Sequence, residues 1–132
     1  PEPETEIKNL KRKLKAGADF FLTQPIYDPE KARRFLQRYA EETGTPLDKP
    51  VLVGVLPLAS VRHANFLQNE VPGIVIPEAT MNRINAAEVA SAEGVRIAIE
   101  IIQQMKDWAQ GVYIMPQFHR YDLVAEIIES SK

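Results

Sequence analysis

Residues 51–56 read VLVGVL, a nearly continuous apolar run between Pro50 and Pro57. Strands that are buried on both faces have this pattern, and they are typical of parallel sheets covered by helices. Pro57 ends the run, because proline has no N–H to donate to a sheet ladder. The stretch therefore predicts a buried strand of a parallel sheet.

Two further apolar runs flank this strand along the chain, and a proline follows each of them. Residues 20–22 (FFL) lead to Gln24 and Pro25, and residues 112–115 (VYIM) lead to Pro116. We interpret residues 20–22 as a second buried strand and residues 112–115 as a third strand.

Apolar residues at helical spacing precede, separate and follow the three runs. The predicted helix starts carry capping residues and the predicted helix ends carry glycines. The starts are Thr5, Asp28 (with Pro29 next) and Ser60, and the ends are Gly17, Gly44 and Gly111. A further segment begins at Pro77, and a long helix follows it. The apolar residues of the long helix are Val95, Ile99, Ile102 and Met105, and those of the last helix are Leu123, Val124, Ile127 and Ile128.

The predicted order of elements is one helix followed by three strand–helix units. This alternation implies a parallel sheet with right-handed crossovers. A (βα)₈ TIM barrel needs about 250 residues. The 132 residues therefore form a piece of such a barrel or a small open sheet. Neither G-x-G-x-x-G nor the P-loop pattern occurs, which weakens the open-sheet alternative. We expect residues 1–132 to be a single partial domain.

The composition excludes several classes of protein. Hydrophobic residues make up 45% and charged residues 26%, as in a globular protein, and the net charge of -2 disfavours nucleic-acid binding. Cysteine is absent and only two histidines occur, so we expect no disulfide and no metal site.

No apolar run approaches the roughly 18 residues of a membrane span, and the acidic start is unlike a signal peptide. We expect a cytoplasmic protein without membrane contact. The first residue, Pro1, is either a processed terminus or a cut within a longer chain.

Chemistry in parallel α/β folds lies at the carboxyl ends of the strands. Gln24 follows the first strand, where its amide can donate to and accept from a heterocycle or bond the local backbone. His63 is either a ligand contact near the same edge or a surface histidine, and Arg120 either contacts a ligand or pairs with Asp122. No carboxylate follows a strand directly, so the chain offers no obvious general acid.

Asn9, Arg12 and Lys13 share one face of the first predicted helix, because they stand at i, i+3 and i+4. Two cations and an amide suit a phosphate or pyrophosphate. A plain solvated helix face is the alternative interpretation.

Several short motifs resemble the methylenetetrahydrofolate reductase family. They occur in order along the chain: residues 9–13 (NLKRK), 16–19 (AGAD), 23–28 (TQPIYD) and 53–58 (VGVLPL), then Ile76-Pro77, and Gly94-Val95 with Glu100. Each motif is weak alone, but together they cover essentially the whole chain at compatible spacings.

The resemblance implies the C-terminal half of a (βα)₈ barrel that binds flavin adenine dinucleotide (FAD). The family reduces 5,10-methylenetetrahydrofolate to 5-methyltetrahydrofolate with NADH or NADPH as hydride donor. The N-terminal half would be absent, and the family's catalytic glutamate lies there. We therefore expect no catalytic residue in this chain and no activity of the chain alone. We also expect a homo-oligomer, because three parallel strands leave two open sheet edges.

By position, the resemblance assigns Asn9, Arg12 and Lys13 to FAD, and Gln24 to both folate and nicotinamide, which bind in turn. His63 and Arg120 are assigned to the substrate, although each departs from the family pattern. His63 replaces a glutamine, and Arg120 matches only after a one-residue shift. Residues 111–116 (GVYIMP) look more like reductase modules fused to a homocysteine methyltransferase.

Two other classes of protein are alternatives to the reductase. The chain is alternatively a non-enzymatic half-barrel that oligomerises without flavin, or a half-barrel that binds another phosphorylated metabolite. A yellow preparation with flavin absorbance distinguishes the first of these from the reductase.

Overall fold

Three parallel strands and six helices make up the computed structural model, which describes residues 3–131. In chain order, the elements are α1 Pro3–Lys15, β1 Phe21–Pro25, α2 Pro29–Thr43, β2 Val51–Val55, α3 Val61–Glu70, α4 Glu78–Ala86, α5 Ala90–Met105, β3 Gly111–Ile114 and α6 Tyr121–Ser130. The strands form one sheet in the order β1-β2-β3, and both pairings are parallel. The predicted fold class, parallel strands alternating with helices, is confirmed.

The central strand β2 buries one face completely and the other only in part. Val53 and Val55 are at most 1% exposed and belong to the core cluster, which also contains residues of α5 and α6. Leu52 points to the opposite face and is half-buried. Its partner on β1, Leu22, is 59% exposed. The sheet is therefore covered on one face and largely open on the other.

The prediction of a buried first strand is wrong. The strand is Phe21–Pro25, and both Phe20 and Leu22 are more than half exposed. The reason is topological, because β1 is an edge strand and Leu22 lies on the open face.

Three of the predicted caps are confirmed. Asp28 accepts a hydrogen bond from the Lys31 N–H at 3.1 Å at the start of α2, and Gly44 ends that helix with a φ of 76°. Ser60 accepts from the His63 N–H at 2.9 Å at the start of α3. These local hydrogen bonds fix where the chain leaves β1 and β2.

Two predicted boundaries are wrong. The first helix begins at Pro3, so Thr5 lies inside its first turn instead of capping it. Helix α5 ends at Met105, and Gly111 is the first residue of β3 instead of a helix stop. A Cβ on Gly111 would lie 2.9 Å from Cδ2 of Leu52, so glycine here permits close contact between strands.

The crossover from β2 to β3 contains three helices. Gly94, near the start of α5, packs against the backbone of Leu58, so α5 starts at the carboxyl edge of the sheet and returns to the start of β3. Helix α3 begins beyond the end of β2, and the turn after it reaches Gln24 at the end of β1. Helix α3 therefore lies across the carboxyl edge.

No helix within residues 3–131 is long and apolar enough to span a membrane.

Candidate ligand-binding site at the carboxyl edge of the sheet

A β-bulge places Gln24 at the carboxyl end of β1. The paired residues are Leu22 with Leu52 and Pro25 with Gly54, so β1 has one residue more than β2 between the two pairs. The Gly54 N–H donates to Oγ1 of Thr23 at 3.0 Å, and the Thr23 hydroxyl donates to the Gln24 carbonyl at 2.8 Å. The threonine side chain thus compensates for the irregular ladder. Bulges commonly redirect a side chain beside a functional site.

Tyr113 of β3 fixes the bulge from the other side of β2. Its hydroxyl donates a hydrogen bond to the Thr23 carbonyl. The phenol passes over Gly54, where a Cβ would lie 2.8 Å from the hydroxyl oxygen. The glycine between the two strands is therefore required by this close approach.

The Gln24 side chain is exposed, and its amide forms no hydrogen bond within residues 3–131. The amide lies against Gly73, in the turn between α3 and α4. The alternative interpretation, an amide bound to local backbone, is not what the structure has. Both the donor and the acceptor of this amide are available to a ligand.

His63 is buried beside the same edge, with 3% of its surface exposed, so the alternative interpretation as a surface histidine is wrong. The Ala59 N–H donates to Nδ1 at 3.0 Å, and burial lowers the pKa of the ring below its ordinary value. Because Nδ1 accepts, the neutral ring carries its proton on Nε2. Nε2 is buried and has no hydrogen-bond partner among the described residues. An unpaired buried donor of this kind is uncommon and calls for an explanation.

Phe118 covers His63 from the loop after β3. The two rings meet edge to face, with centroids 5.4 Å apart at an angle of 73°. Phe118 is itself 69% exposed, and it and His119 have φ values of 53° and 58°. Left-handed backbone is unfavourable for such bulky residues, and strain of this kind concentrates at ligand sites.

Arg120 follows this loop and pairs with Asp122. Nε and one terminal nitrogen of its guanidinium each lie 3.1 Å from a carboxylate oxygen. The pairing lowers the pKa of Asp122 through the hydrogen bond from Arg120. The structure thus has the ion pair of the alternative interpretation, and contact between Arg120 and a substrate stays a prediction.

A buried phenol anchors the loop after β1. The Tyr27 hydroxyl donates to the Leu56 carbonyl at 2.7 Å, and burial raises the pKa of this tyrosine. Since Leu56 follows β2 directly, the bond ties the ends of two neighbouring strands together and limits the movement of the segment after Gln24.

The face of α1 that carries Asn9, Arg12 and Lys13 lies apart from the carboxyl edge. Arg12 and Lys13 are exposed and form no ion pair within the described residues, while Asn9 is half-buried. Lys13 lines a shallow groove with Gly17 and Leu22, near the start of β1. The structure therefore keeps these three residues on one helix but does not join them to Gln24 and His63.

The carboxyl edge offers an amide, an N–H donor and an exposed aromatic ring, which together can bind a polar heterocycle. Sequence reasoning singled out Gln24 and His63 as candidates, but it did not identify the contacts of Thr23, Tyr113 and Phe118 at this edge. Their contacts join distant stretches of the chain, and no local pattern marks them. In the described part of the chain, no group of three or more acidic, histidine or cysteine side chains could hold a metal ion.

The fold is that of an α/β protein of the parallel barrel type, with a candidate ligand site at the carboxyl edge of its sheet. A solved structure described as an uncharacterized protein from Clostridium thermocellum that binds two copies of 5-methyl-5,6,7,8-tetrahydrofolic acid has a similar fold, with a TM-score of 0.70 at 20% identity. The match covers 98% of this chain and 50% of that one.

The profile of the methylenetetrahydrofolate reductase family matches residues 1–131, and the chain belongs to this family. It is 29% identical over 115 residues to methylenetetrahydrofolate reductase 2 of Schizosaccharomyces pombe, covering 83% of this chain and 18% of that protein. It is also 27% identical over 107 residues to methylenetetrahydrofolate reductase 2 of Saccharomyces cerevisiae, and this match covers 77% of the chain and 17% of that protein. The chain thus spans less than a fifth of these curated relatives.

Proposed function

We propose that the protein containing this chain reduces 5,10-methylenetetrahydrofolate to 5-methyltetrahydrofolate, with FAD as cofactor and NADH or NADPH as hydride donor. Family membership supports the reaction, and the folate bound by the structural neighbour supports the ligand class. The chain supplies the C-terminal half of the barrel in this proposal. The acid that completes the reaction lies in the other half, so the chain alone is inactive.

The unpaired amide of Gln24 is the observation that carries the proposal. A primary amide both donates and accepts, which matches the amide-like edge of a pterin ring and also the carboxamide of nicotinamide. The two ligands therefore bind to Gln24 in turn, as a ping-pong order of hydride transfer requires.

His63 contributes a donor with a fixed direction. Because the Ala59 N–H holds Nδ1, only the Nε2–H is available, and it binds an acceptor atom of the folate. The Phe118 ring packs edge to face against this imidazole, and in this proposal it moves when the substrate reaches Nε2. Arg120 contacts the substrate after exchanging Asp122 for a substrate carboxylate.

Asn9, Arg12 and Lys13 fit the diphosphate of FAD, since they offer two unpaired cations and an amide on one helix. Phe21 lines the same groove as Lys13. Gln24 lies three positions further along β1, a distance of about 10 Å. An extended dinucleotide spans such a distance. When bound, FAD carries the hydride from nicotinamide to folate.

The test uses the full-length protein purified with its flavin. Gln24→Ala is compared with Gln37→Ala, which removes another exposed amide from α2. Flavin reduction by the nicotinamide and reoxidation by the folate are followed separately. We expect Gln24→Ala to weaken both steps by about 1–3 kcal/mol, the loss when a polar edge goes unpaired, with the flavin retained. Unchanged constants in both steps contradict the role of Gln24, and a colourless protein contradicts the cofactor.

A homo-oligomer in the cytoplasm completes the proposal. Each end of the three-stranded sheet is an unpaired edge, and exposed edges pair with other strands. The isolated chain should therefore self-associate. A monomer in light scattering at high concentration contradicts this expectation.

A further inference from the structure

Gly73, in the turn after α3, lies against the Gln24 amide. An L-side chain at position 73 would put its Cβ onto Oε1 of Gln24, 3.3 Å from its Cδ and 3.4 Å from its Nε2. All three outer atoms of the amide thus lie against this residue. Any side chain at position 73 takes the space in which the amide lies.

The turn is anchored, whereas the Gln24 side chain is not. Oε1 of Gln68 accepts the Ile76 N–H at 2.7 Å, and Ile74 and Ile76 are buried in the core. No hydrogen bond within the described residues holds the Gln24 amide in its place. When position 73 gains a side chain, the amide therefore moves and the turn stays.

We infer that Gly73 is a positioning residue that sets the direction of the Gln24 amide, and thereby the affinity for folate. This inference rests on the proposed function, because it takes Gln24 as the folate contact. The bulge at Thr23 fixes the backbone of Gln24, and the bare α-carbon of Gly73 leaves the space for its side chain.

The chain contains a matched control. Gly73 has a φ of 87° and Gly44 a φ of 76°, so alanine is strained at both positions. A Cβ on Gly44 would have nothing within 4 Å. Gly44→Ala therefore carries the backbone strain of Gly73→Ala without moving Gln24, and unfolding temperatures of the two variants should fall by similar amounts.

The experiment measures the dissociation constant of 5-methyltetrahydrofolate for the full-length, flavin-loaded protein. We expect Gly73→Ala to raise it about tenfold, the loss of one well-placed hydrogen bond, and Gly44→Ala to leave it unchanged. In a Gln24→Ala background, Gly73→Ala should add less than about a twofold change, because the group it displaces is gone. An equal effect in both backgrounds overturns the inference.

A second readout is independent of folate. In protein labelled with ¹⁵N-glutamine, the side-chain amide signal of Gln24 should shift in Gly73→Ala and not in Gly44→Ala. No shift in Gly73→Ala overturns the inference. A shift together with wild-type folate binding in both Gly73→Ala and Gln24→Ala supports the placement of the amide and overturns the proposed role of Gln24.

Discussion

The carboxyl edge of the sheet and the cationic face of α1 were both predicted as ligand sites, but they are built differently. The edge contains a bulge, two consecutive residues with positive φ and a buried ring nitrogen without a partner. Residues 9–13 form regular helix, and Arg12 and Lys13 stand in its last turn, where cations already stabilise the helix dipole. Departures from regular structure thus mark the edge, whereas the α1 face depends on resemblance for its assignment.

The largest expected effect separates the two interpretations of α1. If Arg12 and Lys13 bind the FAD diphosphate, replacing each by alanine removes a charge-assisted contact of about 1.5–3 kcal/mol. The double variant of the full-length protein should then lose flavin on dilution, more readily at high salt, because salt screens the remaining attraction. Flavin release is followed by fluorescence at increasing ionic strength.

The control for this experiment replaces two exposed cations of α2, Lys31 and Arg34, by alanine. It should retain flavin as the wild type does. Both double variants should lose only about half a kcal/mol of unfolding free energy, as is usual at surfaces. Equal flavin retention in all three proteins assigns the α1 face to solvent.

Close packing at the carboxyl edge predicts the next largest effect. Alanine is normally favoured over glycine within a helix. At position 94, however, its Cβ would overlap the Leu58 carbonyl, which belongs to backbone and cannot turn away. We expect Gly94→Ala to lower the unfolding free energy by about 2–3 kcal/mol. Ala92→Gly, at an exposed position of the same helix, should cost about 1 kcal/mol. A stabilised Gly94→Ala variant contradicts this packing.

The smallest effect concerns His63. Burial lowers the pKa of His63 in the folded protein. When the pH falls below about 6.5, the ordinary pKa of histidine, His63 therefore binds protons more readily in the unfolded chain than in the folded protein. Stability contributed by the neutral ring is therefore complete above that pH and is lost as the pH falls below it. His63→Gln should remove this part of the pH dependence, while His119→Gln, at an exposed position, should keep it. Urea unfolding at pH 7.5 and 5.5 measures the difference for each protein, and identical differences in all three contradict the prediction.

Local signals were enough to predict the order of elements and several boundaries. The apolar run of β2, the Asp28 cap and the Ser60 cap each depend on residues close in sequence, and the structure confirms them. The exposure of β1 could not be predicted, because it depends on which elements cover the sheet. Gly111 was misassigned because a glycine that ends a helix and one that permits close strand packing look alike in sequence.

The candidate site was predictable only in part. Position at a strand end singled out Gln24, but the bulge that directs it depends on Thr23, Gly54 and Tyr113 from three strands. The ring of His63 likewise contacts Phe118, which is far away in the sequence. Such contacts leave no periodic pattern in the chain.

Whether the carboxyl edge is the folate site is tested most directly by calorimetric titration of 5-methyltetrahydrofolate into the flavin-loaded full-length protein. Wild type, Gln24→Ala and Gln37→Ala are compared at equal flavin content. We predict a dissociation constant about tenfold higher for Gln24→Ala, and a wild-type value for Gln37→Ala. Equal dissociation constants for all three proteins would contradict the assignment of folate to this edge.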